Sequence, residues 1–195
     1  MGGLATMLAP IAFVNETVLR LGRAVGVVAI AFMVTAILIQ VFFRYVLGNA
    51  LPWPDEAARF CMLWMTGLMA PTAFRRGGFV AIDMVPLMLP RVLGQVLMLA
   101  LLFVSLAVLL VAVKIGWSEV TGFGGKFATA ALYIPTSFGF DEWYRVPRSW
   151  MMASLLVGVA LLIVVNVELI LRAIVSLLGG ADLLPEIADA PVGAE

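Results

Sequence analysis

Apolar residues fall in long runs along the chain, and charged residues collect between them. Ala24 to Leu47 meets no charge before Arg44. Ala57 to Phe74 is shorter, carries Arg59 about one turn in and contains Pro71. Val92 to Val113 is the cleanest run, and Trp150 to Leu171 is apolar as far as Asn166 and Glu168. A helix needs about 20 residues to cross a hydrocarbon core of about 30 Å, so each run is long enough or nearly so. The second reaches across with little tilt, or by letting charges at its ends snorkel.

The pattern predicts an all-α integral membrane protein with short interfacial helices. Residues 1–195 form a single membrane domain, with four transmembrane helices at 24–47, 57–74, 92–113 and 150–171. In segment 1–23, Phe13, Val14, Val18 and Leu21 share roughly one helical face, with Asn15, Glu16, Arg20 and Arg23 elsewhere. That suits a short helix lying in the interface; an N-terminal extension of the first span fits equally well. Phe79 to Pro90 is amphipathic and proline-bounded, and Asp83 is placed to cap a second interfacial helix. Residues 181–195 are acidic and small, a tail expected to fray. No internal repeat supports an inverted-repeat transporter plan.

Composition turns this pattern into a class. The chain is 64% hydrophobic and 12% charged, with mean hydropathy +1.12. Soluble domains average about 45–50% apolar and about 25% charged, so a soluble fold is excluded. The longest polar interval, Lys114 to Ser149, leaves no room for a separate soluble domain. Net charge is zero and neither end carries a basic tail, so nucleic acid is not an expected partner. The single cysteine, Cys61, lies inside an apolar run and excludes an internal disulfide. There is no histidine. Zinc, haem and copper sites therefore have almost no ligands to draw on, and Ser-His-Asp or Cys-His nucleophiles are excluded. No cofactor, metal or catalytic group is expected, and the chain does not read as an enzyme. The opening Met1-Gly2-Gly3-Leu4-Ala5-Thr6 fits only a loose myristoylation pattern. The sequon at Asn15 lies too near a span for easy modification, and no cleaved signal peptide is read.

Lysine and arginine near span ends set orientation. With the N-terminus inside, Arg20, Arg23, Arg75, Arg76, Arg91 and Arg172 are cytoplasmic. Arg44, Lys114, Lys126, Arg145 and Arg148 are then outside, several of them in a long interval that weighs less. Both termini are expected in the cytoplasm. The outer interval carries Trp117, Phe123, Phe127, Tyr133, Trp143 and Tyr144; Trp143, Tyr144 and Trp150 suit an aromatic belt.

The midplane positions carry Thr35, Thr66 and Ser105 and no ionisable group. Ion-coupled carriers usually hold a charge there, whereas Thr and Ser at such depths mostly bond backbone or a neighbouring helix. Gly22 and Gly26 form a small-xxx-small pair, a weak signal of close helix contact. Around the second span, Asp55 and Glu56 lie four and three residues before Arg59, so either acid can reach it on one helical face. The acids also suit a helix N-terminus. These charges fit a self-neutralising helix start or a polar clamp on a partner.

From Arg44 to Asp83 the sequence resembles the small membrane subunit of tripartite ATP-independent periplasmic (TRAP) transporters, the DctQ-like family. Arg44 and Tyr45 match an arginine-tyrosine near the end of the first span. Trp53 and Glu56 match a W-x-x-E opening of the second, with Arg59 following. Leu63 and Trp64 match a later V/L-W pair, and Arg75, Arg76, Gly77 and Gly78 match an R-x-G stretch. Asp83 matches the aspartate beyond. Phe79 stands where the family usually has histidine, a departure. Ala131 to Pro135 and Pro147 resemble weaker elements near the last span.

The resemblance implies a small permease subunit of the bacterial inner (cytoplasmic) membrane. It would brace a large permease subunit and help dock a periplasmic solute-binding protein during sodium-driven uptake of an organic acid. Arg44, Trp53, Glu56, Arg59, Trp64, Arg75, Arg76 and Asp83 become candidates for assembly and positioning, and Lys126 and Arg145 for docking. A competing reading, a self-sufficient dimeric four-helix exporter, requires a carboxylate within the membrane. Glu56 and Glu168 lie near span ends, which disfavours it.

Overall fold

The computed structural model describes residues 2–77, 89–135, 143–178 and 180, with the side chains of residues 2–9, 11 and 91 left aside. Gly78, Phe79, Asp83, most of the expected interfacial helix at 79–90 and the tail at 181–195 lie outside the described residues.

Helix α1 spans Gly2–Tyr45 without a break. At about 1.5 Å per residue it is about 66 Å long, about twice a hydrocarbon core, so segment 1–23 continues the first apolar run rather than forming a separate interfacial helix. Helix α2 spans Trp53–Arg75, with proline in its first turn, where no N–H bond is lost, and Asp55 and Glu56 at the positive end of its dipole. Helix α3 spans Arg91–Thr121 and α4 spans Ser149–Leu177. All four helices outrun the apolar segments at one end or both, because an apolar run marks only the lipid-facing part of a helix that continues into the headgroups.

The outer interval is not simply loop. After a 3₁₀ turn at Phe123–Lys126 come β1 (Ala128–Pro135) and β2 (Trp143–Pro147), an antiparallel pair whose register is irregular between Ala128 and Tyr133. The fold is the helical membrane fold expected, with one small hairpin added to it. Val146 is fully buried, and the buried Thr129 hydroxyl donates to its carbonyl at 2.7 Å.

Three described helices are long and apolar enough to cross a membrane: Ala12–Tyr45, Val92–Thr121 and Ser149–Leu177. Helix α2 is not among them. Arg59, Thr66, Gly67, Pro71 and Thr72 dilute it, and its position explains why that is tolerated. The helices pack in the order α1, α2, α4, α3, so α2 is flanked by protein on two sides and needs less apolar surface than a helix facing lipid.

Glycines set the spacing of this row. Gly22 and Gly26 of α1 face α2: a β-carbon added there would meet the Leu68 carbonyl oxygen at 3.2 Å and the Met69 side chain at 2.8 Å. The tightest crossing joins α2 and α4. A β-carbon on Gly67 would come within 2.5 Å of the Ser154 carbonyl oxygen, and one on Gly158 within 2.7 Å of the Gly67 carbonyl oxygen. Pro71 has no N–H, so it leaves the carbonyl four residues earlier, that of Gly67, without its helical donor. The Gly158 α-carbon faces this freed oxygen. Cα–H contacts of this kind are weak, but only glycine lets the backbones approach closely enough to make them.

Candidate functional site

The most concentrated polar chemistry lies where the N-terminal half of α1, the C-terminus of α2 and the last third of α4 meet. Glu168 on α4 is wholly buried. Arg75, the last residue of α2, grips it from two nitrogens: Nε donates to Oε2 at 3.0 Å and Nη2 to Oε1 at 2.9 Å. Arg172, one turn further along α4, donates from Nε to Oε1 at 3.0 Å. Asn15 of α1 donates from Nδ2 to Oε2 at 2.6 Å. The remaining nitrogen of Arg75, Nη1, donates to Oε2 of Glu16 at 2.6 Å. Arg20 and Arg23 flank the other oxygen of Glu16, each at 3.7 Å.

Each helix contributes for a local reason. Arg75 is delivered by the end of α2, where a cation complements the helix dipole. Glu168 and Arg172 are i, i+4 neighbours in the favoured order. Arg75, Glu168 and Arg172 alone would leave one excess positive charge in a buried place; Glu16 supplies the balancing carboxylate. Removing one member of a buried, balanced cluster costs far more than the cluster contributes over an apolar replacement. The arrangement therefore ties three helices together in one register. Every oxygen of Glu168 is held by fixed donors, so this carboxylate is a structural group and not an exchangeable ion ligand.

A second strut stands at the opposite end of α2. Glu56 accepts the backbone N–H of Ala130 at 2.8 Å and also that of Ala131, fastening the first strand of the hairpin to the helix. Asp55 accepts from Nε2 of Gln40 at 3.5 Å. Of the two readings of these charges, the self-neutralising pair with Arg59 is not the one formed: Glu56 turns to the strand amides, which need acceptors, and Arg59 is exposed with no ion-pair partner among the described residues. Trp64 donates from Nε1 to the Trp150 carbonyl at 3.1 Å, linking α2 to the start of α4. Trp53 is partly exposed beside the hairpin, and Arg44 is exposed, with its guanidinium 6.0 Å from the Tyr45 ring. Arg76 follows Arg75 and is half-buried.

The two docking candidates differ. Lys126 is exposed at the end of the 3₁₀ turn. Arg145 is built into the hairpin: Nε donates to the Thr129 carbonyl at 2.6 Å, Nη2 to that of Ala130 at 2.8 Å, and the guanidinium stacks over Tyr133 at 5.5 Å.

The structure joins Arg75 to Glu16 and Glu168, a constellation that sequence reasoning missed; of the candidates, it found Arg75 alone. Its one local signal was Glu168 and Arg172 four residues apart on an otherwise apolar helix. Thr35 and Thr66, expected from the sequence at the midplane, donate to their own helices, at the carbonyls of Ala31 and Met62.

A family model described as tripartite ATP-independent periplasmic transporters, DctQ component, matches residues 33–176. The match takes in Arg44, Glu56, Arg75, Glu168 and Arg172, and it begins beyond Asn15 and Glu16. No curated protein matches the chain.

Proposed function

The chain belongs to the DctQ component family of the tripartite ATP-independent periplasmic transporters, and we propose that it is the small permease subunit that braces the large one. It is a multi-pass membrane component of a transporter and not an enzyme. The observation that carries the bracing role is the contrast between its middle and its flanks. The inner helices α2 and α4 are locked by the glycine crossing and by the Arg75–Glu168 cluster, whereas α1 and α3 expose apolar side chains such as Phe32, Leu38, Phe103 and Leu110 along their length. A rigid layer with apolar sides suits a static scaffold against which another membrane subunit moves.

In this reading the large subunit carries substrate and sodium, and a periplasmic solute-binding protein delivers an organic acid to the outer face. Arg44, Trp53, Glu56, Arg59, Trp64, Arg75, Arg76 and Asp83 serve assembly and positioning. Lys126, at the outer end, meets the binding protein through a screened and readily released contact. Arg145 serves docking indirectly, by holding the hairpin in shape. Co-purification in mild detergent tests both parts. The Lys126→Glu chain is expected to retain the large permease while binding-protein-dependent uptake falls. Persistent separation of wild-type chain and permease would refute the bracing role, and unchanged uptake in the variant would place docking elsewhere.

We infer four spans in the bacterial inner membrane, with α2 as the shielded second span and both termini cytoplasmic. The support is the cluster of Arg20, Arg23, Arg75, Arg76 and Arg172 at one end of the row. A Gly124→Cys chain is expected to react with an impermeant thiol reagent from the periplasm, and a C-terminal reporter to signal from the cytoplasm. The reverse pattern in either would overturn this topology. The self-sufficient exporter loses ground because Glu168, its best carboxylate, is already held by Arg75, Arg172 and Asn15.

A further inference from the structure

A cleft of about 630 Å³ opens between the start of α2 and the hairpin, lined by Pro52, Trp53, Ala130–Tyr133 and Trp143. Its walls are aromatic and remain accessible: Trp53 is 37%, Tyr133 47% and Trp143 55% exposed. Three aromatic rings around a cleft are costly to leave against water, so the depth of the cleft decides what covers it.

That depth follows from helix lengths. Val92–Thr121 has 30 residues, about 45 Å of helix against a hydrocarbon core of about 30 Å. The ends of α3 therefore reach the headgroups. The hairpin follows α3 after one 3₁₀ turn and is bolted by Glu56 to the first turn of α2. Trp and Tyr favour this layer because one side of the ring is apolar and the other polar. The interval from 122 to 148 carries Lys126, Arg145 and Arg148 beside Asp141 and Glu142, so its net charge decides little, and one placed cation matters more. Arg145 is fixed over Tyr133, a wall of the cleft, by two carbonyls that occupy Nε and Nη2. Its Nη1 has no protein partner among the described residues. A guanidinium held in place with a terminal N–H to spare suits a phosphate diester.

We propose that this cleft seats a membrane glycerophospholipid of the outer leaflet, its phosphate on Arg145 and its upper acyl chains against Trp53, Tyr133 and Trp143. The inference rests on the membrane reading of α3 and, for the choice of leaflet, on the proposed orientation, and not on the identity of the transported solute. It gives the hairpin a second support, so that the element offered to a soluble partner is steadied by lipid as well as by Glu56.

The test uses the whole chain with its large permease in nanodiscs, comparing acyl chains brominated just below the headgroup with chains brominated near their ends. The loss of emission on Trp143→Phe isolates the Trp143 signal. That signal is expected to be quenched strongly by shallow bromines and weakly by deep ones. Native mass spectrometry of the detergent-purified complex is expected to show a retained phospholipid. Its occupancy should fall about fivefold in Trp53→Ala, the order expected for loss of one aromatic contact. Trp53 lies on α2 and leaves the Arg145 bonds in the hairpin untouched, so a drop there is not hairpin unfolding. Arg145→Lys should reduce retention in the same direction. If shallow bromines leave Trp143 unquenched, or if phospholipid retention is the same in Trp53→Ala as in wild type, the cleft is not a lipid seat. Trp143 shielded from lipid only when the permease or binding protein is present would assign the cleft to that protein instead.

Discussion

Glu168→Ala is expected to destabilise the chain more than any other single substitution of a charged residue. The variant leaves Arg75, whose side chain is 5% exposed, and Arg172, at 10%, without their shared carboxylate. Breaking a buried ion pair by removing one partner costs about 3–5 kcal/mol. For a chain of this size that is a fall of roughly 10 °C in the melting temperature, read in detergent by thermal unfolding. High salt should not restore it, because buried pairs are poorly screened. The double variant Arg75→Leu/Glu168→Leu keeps Glu16 and Arg172 as one charge of each sign, and should lose less than Glu168→Ala. A Glu168→Ala chain that melts within a degree or two of wild type would show that the cluster does not hold the helices together.

The prediction also marks the limit of sequence reading. Arg75 is a candidate because Arg75, Arg76, Gly77 and Gly78 resemble the family's R-x-G stretch. Its partner lies 93 residues away, and no periodicity links the two. Glu168 looked like a residue fading out of the last span, since an apolar scan ends where polarity begins, although α4 continues to Leu177. The second span shows the opposite error. An i, i+3 or i, i+4 spacing permits Glu56 or Asp55 to meet Arg59, but it does not weigh that pair against two strand amides brought in by the fold. The hairpin itself was hidden in a stretch read for its aromatics and charge, though Tyr133, Ile134, Trp143, Tyr144 and Val146 are of the residue types that strands favour. The small-xxx-small pair at Gly22 and Gly26 was visible because both glycines share one helix. Gly67 and Gly158, which make the tighter crossing, lie on two helices and show no spacing. The membrane class, the main apolar helices and the family were all legible, because each is written in local composition or short motifs.

The largest functional effect should appear when transport is reconstituted from parts. The sequence puts no ionisable side chain at the expected midplane, Thr35 and Thr66 bond their own helices, and the buried Glu168 is fully engaged. In the proposed role it therefore binds no coupling ion and carries no organic acid by itself. In that role its contribution is rigidity and an outer surface, both acting through the large subunit. Proteoliposomes with a sodium gradient and the cognate binding protein measure this directly, when they hold this chain alone, the large permease alone, or both. Uptake above background is expected only with both, while the chain by itself should match empty vesicles. Gradient-driven uptake by this chain alone, or full uptake by the large permease without it, would contradict the account.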